Sequence, residues 1–406
     1  MSDDLEQRLK TLETQVQLLT RIIGAEGEGE ADLPLAHQQT RLLQAVERLA
    51  PIKALLEADE VNDILINADR SVYVERLGRL EKTRVQFESD TEVFKLAEEI
   101  VARIGRHINP QRPLVDARLP DGSRVNIIAP PLSVDGTMIS IRKFSKHSIT
   151  LDSMAAQGNI SSPLGEFLKV AGKCRLNIIV SGGTGSGKTT LLNAISQYID
   201  PDERVVTIED AAELKLQQPH VVRLESKPTS FGQKREEEVT IRDLVKNALR
   251  MRPDRIIVGE VRGPEAFDMM QAMNTGHEGS LTTVHANHPR DAIARLENMM
   301  NMANLGLSSA GIRAQIASAI HIIIQISRMR DGYRRVTHVS EVVGIEGDII
   351  TMQELFTFQT KGEDKDGKLV GEFRWSGIMP RFLRRVAYYG ESEHLAKALG
   401  IRLPGM

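Results

Sequence analysis

The stretch VSGGTGSGKTTLL, from Val180 to Leu192, places a lysine and threonines directly after a run of glycines. It matches the pattern G-x-x-x-x-G-K-[ST], and an apolar run, LNIIV, leads into it. Glycines let backbone N–H groups approach phosphate, lysine reaches the terminal phosphates, and threonine reaches Mg²⁺. The motif therefore predicts a nucleotide and Mg²⁺ site rather than a glycine-rich turn with an incidental lysine. The predicted contact residues are Gly182, Gly183, Thr184, Gly185, Ser186, Gly187, Lys188, Thr189 and Thr190.

Acidic residues end two later apolar runs. Glu260 closes RIIVGE, the position at which a P-loop enzyme holds its metal or the waters of that metal. Glu209, Asp210 and Glu213 lie in VTIEDAAEL, at the end of another predicted strand. One of these carboxylates is predicted to orient the attacking water, because phosphoryl transfer depends mainly on positioning and charge compensation. A solvated acidic turn is the alternative interpretation of this second group.

Three histidines, His277, His285 and His288, lie close together in GHEGSLTTVHANHP. A zinc site with this spacing usually takes a fourth ligand from a cysteine or a suitably spaced acid, and the chain has a single cysteine, Cys174. We therefore predict that a histidine of this stretch donates to the γ-phosphate of a nucleotide and that the three do not form a metal site.

Two arginines of the preceding part of the chain, Arg124 and Arg142, lie on adjacent predicted strands. Exposed arginines on strands are commonly just solvated, which is one interpretation. The other is that they bring positive charge to the nucleotide from outside the P-loop domain, where such a group contributes about 10³ to 10⁵ in rate.

The first part of the chain divides into two predicted segments. Apolar residues at coiled-coil spacing over residues 1–23 predict an amphipathic helix, which packs either on its own protein or on a partner helix. Residues 24–36 are acidic, rich in glycine and poor in apolar residues, which predicts a flexible linker.

The rest of the chain divides into a segment with a mixed pattern of strands and helices and a segment in which the two alternate regularly. Mixed patterns over residues 37–144, with a hairpin turn at Asp121-Gly122, predict an α+β domain, and a linker is predicted over residues 145–152. Regular alternation of strands and helices over residues 153–406 predicts a parallel sheet with helical crossovers. Short strands are predicted to return in a C-terminal subregion from about residue 330.

Composition limits the classes of partner and location. The formal net charge of -3 gives no overall attraction to nucleic-acid phosphates, and 4% aromatic residues leave few stacking platforms, so no direct nucleic-acid partner is expected. The single cysteine fits a reducing compartment, and no opening segment looks like a signal peptide. The longest aliphatic cluster, AIHIIIQI, is shorter than the roughly 20 residues of a membrane span. A cytoplasmic location is predicted.

Four stretches with predicted chemistry follow one another in a fixed order: SGGTGSGKTT, TIEDAAEL, RPDRIIVGEVRGPEA and TGHEGSLTTVHANHP. In this order they closely resemble the Walker A motif, aspartate box, atypical Walker B motif and histidine box of the secretion and pilus-assembly ATPase superfamily. The earlier PLVDARLPDGSRVNIIAPP and ISIRKF, and the later LFTFQTKGEDKDGKLVGEFRWSGIMPRF, look like the CpaF-like branch that serves tight-adherence (Tad or Flp) pili. The resemblance covers about residue 40 to the C-terminus.

This resemblance implies a fold and a pair of cofactors. The fold is α/β, with a RecA-like P-loop NTPase core preceded by a smaller α+β, PAS-like domain. The cofactors are ATP and Mg²⁺, with Lys188 and Thr189 on ATP and the metal. Glu260 matches the Walker B acid that helps to hold Mg²⁺ through water.

The resemblance also implies roles for four further residues. Glu209 of the aspartate box activates water, and His285 lies near the γ-phosphate. Arg124 and Arg142 match arginines of the N-terminal domain that reach nucleotide.

The setting implied by the resemblance is a homohexameric motor. It moves pilin subunits indirectly, through a polytopic platform protein of the inner membrane, and is therefore cytoplasmic and peripherally associated with that membrane. Two alternatives stay open: a type IV secretion or conjugation ATPase, which shares all four boxes, and a nucleotide-gated binding module without sustained turnover. Many type II secretion relatives carry a four-cysteine zinc insertion, and the single cysteine of this chain disfavours that branch.

Overall fold

A computed structural model gives the structure of the chain and describes residues 50–76, 78–102, 105–119, 121–144, 149–227, 238–365 and 367–401. These residues form two compact units, one within residues 1–147 and the other within residues 148–406. The predicted N-terminal helix over residues 1–23 and the linker over residues 24–36 lie outside the described residues. Within the described part of the chain, no helix is both long and apolar enough to cross a membrane.

In its described residues, the first unit is an antiparallel sheet with two helices. Its elements are α1 (residues 50–57), β1 (Val61–Ile66), β2 (Ser71–Arg76), β3 (Arg79–Gln86), α2 (Asp90–Ala102), β4 (Leu114–Arg118), β5 (Arg124–Ile128) and β6 (Met138–Arg142). The six strands have the order β3-β2-β1-β6-β5-β4. Helix α2 buries Val93, Leu96 and Ile100 in the same core as Val72 and Val74 of β2, as the helical spacing of its apolar residues predicts.

The second unit is a nine-stranded sheet flanked by helices. Its elements are α3 (Leu151–Ala156), α4 (Ser162–Lys173), β7 (Ile178–Ser181), α5 (Lys188–Ser196), β8 (Val205–Glu209), β9 (Val221–Glu225), α6 (Ile241–Ala248), β10 (Arg255–Val261), α7 (Glu265–Asn274), β11 (Leu281–Val284), α8 (Pro289–Asn301), α9 (Ser309–Ala319), β12 (Ile322–Arg328), β13 (Arg334–Glu346), β14 (Ile349–Glu363), β15 (Leu369–Trp375), α10 (Leu383–Tyr388) and α11 (Ser392–Leu399). The strand order is β15-β14-β13-β12-β7-β11-β10-β8-β9. Helix α3 begins at Leu151, within the stretch predicted as a linker over residues 145–152.

Six neighbouring strands of this sheet, from β12 to β9, are parallel. Strand β7 is buried on both faces: Ile178 and Val180 belong to one hydrophobic core and Ile179 to the other. Burial on both faces is typical of a parallel sheet covered by helices, and it explains why these strands are short apolar runs in the sequence. The predicted α/β fold is confirmed.

The strands after residue 330 are longer than the sequence predicts. β13 has 13 residues and β14 has 15; β13 pairs antiparallel with β12, and β14 pairs antiparallel with β13. Their pairing shifts register between Val339 and Ser340 and again between Val342 and Gly344. Each shift breaks the alternation of apolar and polar residues that would otherwise mark a long strand in the sequence.

A buried guanidinium fixes the beginning of β10. Arg255 is fully buried and forms two hydrogen bonds to Glu203, at 2.6 and 2.7 Å. It also donates to the carbonyl oxygen of Gly172 at 2.8 Å, which ties the strand to α4. A charge taken out of water is tolerated only with such partners, because an unpaired one costs several kcal/mol. This pairing fixes the strand that carries Glu260 near its other end.

Removing the carboxylate that pairs with Arg255 should destabilise the second unit. In Glu203→Ala the buried guanidinium loses its charged partner, so we expect a free energy of unfolding lower by about 3 to 5 kcal/mol. The control, Glu372→Ala, removes the partner of Lys361 from an exposed pair and should leave the unfolding midpoint near that of the parent protein. Denaturant unfolding followed by circular dichroism measures both variants, and equal midpoints for the two would refute the structural role of the buried pair.

Candidate functional site

The predicted site residues of the second unit lie at one edge of its sheet. Strands β7, β11, β10 and β8 are parallel neighbours in that order, so their carboxyl ends lie along the same edge. The glycine-rich loop follows β7, His285 follows β11, Glu260 lies near the end of β10, and Glu209 ends β8. The fold thus brings together residues that are up to about a hundred positions apart, at the edge where open α/β sheets bind their ligands.

The first glycine of the loop has no room for a side chain. A Cβ atom on Gly182 would collide with the carbonyl oxygen of Ile326 and with the hydroxyl oxygen of Ser186. Ile326 lies on β12, a neighbour of β7, and the Gly182 N–H donates to the carbonyl oxygen of Val284 on β11 at 3.2 Å. The loop therefore leaves the sheet between two neighbouring strands, in a space that only glycine fits.

The later residues of the loop turn it into the helix α5. Gly185 and Gly187 have φ angles of 68° and 96°, which favour glycine, and Gly187 is the N-cap of α5. The first N–H groups of a helix have no intrahelical acceptor and carry the positive end of its dipole. The Lys188 amine donates to the carbonyl oxygen of Gly183 at 3.0 Å and so lies over the loop. This set of donors around a tight turn fits the phosphates of a nucleotide.

The charge on Lys188 depends on its neighbours. Burial lowers the pKa of the Lys188 amine, the negative charge of Glu260 opposes that shift, and the positive charge of Arg262 adds to it. A phosphate close to the amine would favour its charged form, because an opposite charge stabilises the ammonium. Anion binding at the loop is therefore linked to full protonation of Lys188.

Glu260 is paired with an arginine that sequence analysis did not single out. Arg262 Nη2 lies 2.8 Å from Glu260 Oε2, and its Nη1 lies 3.4 Å from Asp210 Oδ2. One guanidinium thus joins the predicted metal-holding acid to the aspartate box. The signal in the sequence is the spacing, because alternate residues of an extended chain share a face and Arg262 follows Glu260 by two positions.

Glu209 is buried among backbone groups at the end of β8. Its Oε1 atom accepts the N–H groups of Glu213 and Leu214 at 2.9 and 3.0 Å. A Cβ on Gly259 of β10 would lie 2.8 Å from Glu209 Cγ, so that glycine makes room for the carboxylate. Burial raises the pKa of Glu209 to about 7, although the two N–H donors act in the opposite direction. A carboxyl group with a pKa near neutrality suits proton transfer, and its bonds also fix the turn that follows β8.

The three histidines of the histidine box separate in the structure. His277 precedes β11, whereas His285 follows it and is half-buried. His288 caps α8, where its Nδ1 accepts the N–H of Arg290 at 3.3 Å, and its ring centre lies 5.0 Å from that of His338. Of the three, His285 is the one that directly follows the strand next to β7.

The two predicted arginines of the first unit belong to a row of three. Arg124 of β5 is the direct cross-strand partner of Arg142 on β6 and of Arg118 on β4. Arg142 also forms a 3.1 Å ion pair with Asp63. Neighbouring guanidinium groups repel one another, so an anion placed against the row would be favoured.

Sequence analysis did not single out Arg118, although the sequence carries a signal for it. The turn at Asp121-Gly122 fixes the register of its hairpin, and that register places Arg118 opposite Arg124.

A phosphate-binding loop between a buried parallel strand and a helix, with carboxylates at the neighbouring strand ends, defines a P-loop nucleoside triphosphatase. The chain belongs to the family described as "Type II/IV secretion system protein", whose model matches residues 45–358.

Three known proteins illustrate the likeness. A Mycobacterium tuberculosis protein named for conjugal transfer is 38% identical over 307 residues, which cover 73% of this chain and 85% of its own. The type IV secretion system protein VirB11 of Bartonella henselae is 32% identical over 328 residues, covering 72% and 91%. The X-ray structure of the ATPase DotB of Yersinia pseudotuberculosis is similar in fold, with a TM-score of 0.53, 19% identity and coverage of 75% and 80%.

The close contacts of Gly182 give a matched pair of variants. In Gly182→Ala the new methyl group collides with Ile326 and Ser186, so we expect nucleotide affinity to fall by about tenfold or more. In Gly362→Ala, on β14 and outside the phosphate-binding loop, the methyl group meets no atom within 4 Å, so affinity should stay within about twofold of the parent. Titration of each protein with a fluorescent ATP analogue measures this, and equal affinities for the two variants would show that the space around Gly182 is not limiting.

The buried carboxyl group of Glu209 predicts a pH dependence of stability. Its folded pKa of about 7 lies above the usual 4.5, so ionisation opposes folding and stability is lost as pH rises through that interval. Glu209→Gln cannot ionise but can still accept the two N–H groups. We expect its unfolding midpoint to depend less steeply on pH between about 5 and 7 than that of the parent. Thermal unfolding across this range tests the difference, and identical slopes would contradict it.

Proposed function

We propose that this chain is an ATP-hydrolysing motor that works as a ring of six copies and powers assembly, and possible retraction, of a Tad or Flp pilus. The observation that carries the hydrolytic part is the single sheet edge at which the loop, Glu209, Glu260 and His285 meet. The stretch from Leu355 to Phe382 supports the pilus branch, because its sequence resembles that branch.

In this proposal the loop binds the phosphates, and residues at the start of α5 and at the end of β10 hold the metal. The N–H groups of the loop and the Lys188 amine bind the phosphates, Thr189 and Glu260 hold Mg²⁺, and Glu260 acts through water. For Glu260 to face the metal with both carboxylate oxygens, its ion pair with Arg262 has to break. A cleft of about 290 Å³ lined by Asp210, Thr240 and Arg262, among others, offers space for the released guanidinium.

The remaining residues act on the reacting groups. Glu209 activates water, and its pKa near 7 makes it a suitable base at neutral pH. His285 donates to the γ-phosphate. Arg124 and Arg142 supply positive charge from the first unit to a nucleotide held by a neighbouring copy, and the mutual repulsion of the arginine row supports an anionic ligand there.

The proposed setting is the cytoplasmic face of the inner membrane. The ring acts on a polytopic platform protein and through it on pilin subunits. A direct nucleic-acid partner is not part of the proposal, because the net charge of -3 gives no general attraction to phosphate backbones.

A second candidate function is a type IV secretion or conjugation motor. It is favoured by the relatives, since the proteins that are 38% and 32% identical are named for conjugal transfer and for type IV secretion. The catalytic chemistry of the two candidates is the same, and the difference lies in the membrane partner.

A strain that carries Lys188→Ala should lack pili, because the amine that lies over the phosphate loop is gone while the loop itself is kept. A strain with Lys397→Ala is the matched control and should be piliated normally, since this exposed lysine lies in the last turn of α11, outside the phosphate-binding loop. Electron microscopy of surface pili measures both. Normal pili in the Lys188→Ala strain, with protein secretion or DNA transfer lost instead, would replace the pilus proposal by the second candidate.

A further inference from the structure

A group of metal-ligating side chains lies in the second unit and has no part in the proposed hydrolysis. His288, His338 and Glu354 each offer one ligand atom, and these three atoms lie within 4.8 Å of one another. The residues come from the N-cap of α8, from β13 and from β14. Two imidazoles and a carboxylate therefore converge from three separate elements.

The register shift of the β13–β14 pair brings two of these residues together. His338 pairs with Thr357, and after the shift between Val339 and Ser340 the partner of Ser340 is Glu354. A β-bulge of this kind changes which side chains share a face and is common where a side chain has a specific task. Without the extra residue, Glu354 and His338 would lie on opposite faces of the sheet.

One ring nitrogen of His338 is available as a ligand. Nδ1 of His338 lies 3.0 Å from the hydroxyl of Thr337, which leaves Nε2 as the ligand atom. A neutral imidazole whose other nitrogen is held by a hydrogen bond is the usual form of a histidine ligand.

His288 offers Nε2 in the same way, with one adjustment. Its Nδ1 accepts the N–H of Arg290 at 3.3 Å, so the neutral ring carries its proton on Nε2. Binding a cation at Nε2 shifts that proton to Nδ1 and gives up this hydrogen bond. This hydrogen bond is long and therefore weak, so losing it costs less free energy than a bond from nitrogen to a metal provides.

We propose that His288, His338 and Glu354 bind one divalent transition-metal ion, of which Zn²⁺ is the best match. Two histidines and a glutamate form a known zinc ligand set, with water in the fourth position, whereas Mg²⁺ and Ca²⁺ prefer oxygen ligands alone. The site differs from the one that sequence analysis rejected, because only His288 comes from the histidine box. The other two ligands follow it by at least fifty residues, which no local spacing reveals. A bound ion fixes the start of α8 to the antiparallel part of the sheet.

The test is a titration of the full chain, purified without a polyhistidine tag and without nucleotide, with ZnCl2 in an isothermal titration calorimeter. The parent protein should bind one Zn²⁺ per chain. Glu354→Gln removes one charged ligand at an exposed position and should weaken binding by about tenfold or more, and His338→Ala should weaken it further. Circular dichroism of each variant checks that it is folded. If His338→Ala does not fold, Glu354→Gln alone still decides the test.

The matched control is His394→Ala, which removes an exposed histidine that lies 2.8 Å from Glu391 and does not belong to the group of three ligands. Its zinc affinity should equal that of the parent. Co²⁺ gives a second readout, since a tetrahedral site with nitrogen ligands produces visible absorption bands that Glu354→Gln should lose. No stoichiometric binding by the parent, or parental affinity in both His338→Ala and Glu354→Gln, overturns the proposal.

Discussion

The close approach of Gly182 to the carbonyl oxygen of Ile326 is the constraint on which the geometry of the phosphate-binding loop depends. Strand β7 ends between β12 and β11, and the first loop residue passes so near the Ile326 carbonyl that a methyl group would collide with it. From this fixed point the loop turns through two left-handed glycines into α5. The positions of the helix N-terminus and of Lys188 both follow from where that turn begins.

The carboxylates of Glu260 and Glu209 at this edge both have hydrogen-bonding partners, because both are partly removed from water. Arg262 holds Glu260 and reaches Asp210, while Glu209 is stabilised by backbone N–H groups in place of a cation. Such partners offset part of the cost of desolvation: burial raises the pKa of Glu209 although its N–H donors oppose the shift, and the hydrogen bond to Glu260 raises the pKa of Arg262. Under the proposed function, Mg²⁺ held through Glu260 would compete with Arg262 for that carboxylate.

The sequence predicts those features that are local. The loop motif, the apolar strand before it and the helix after it are contiguous, and the parallel sheet follows from the alternation of strands and helices. The acidic strand ends could be predicted because all parallel strands present their carboxyl ends at one edge. Features that depend on pairing between distant segments could not. The length of β14, the bulge that brings Glu354 near His338, and the contact of Arg262 with Asp210 all depend on register or on side-chain direction.

We propose that hydrolysis takes place in a site completed by a neighbouring copy of the chain, whose arginine row supplies positive charge. The most direct measurement is specific ATPase activity against protein concentration, with Glu209→Gln as the blank and sedimentation as the measure of assembly. A steep rise that saturates as the chains assemble is the result we predict. Activity that stays constant through a range in which sedimentation shows monomers would mean a self-contained site and would contradict the claim.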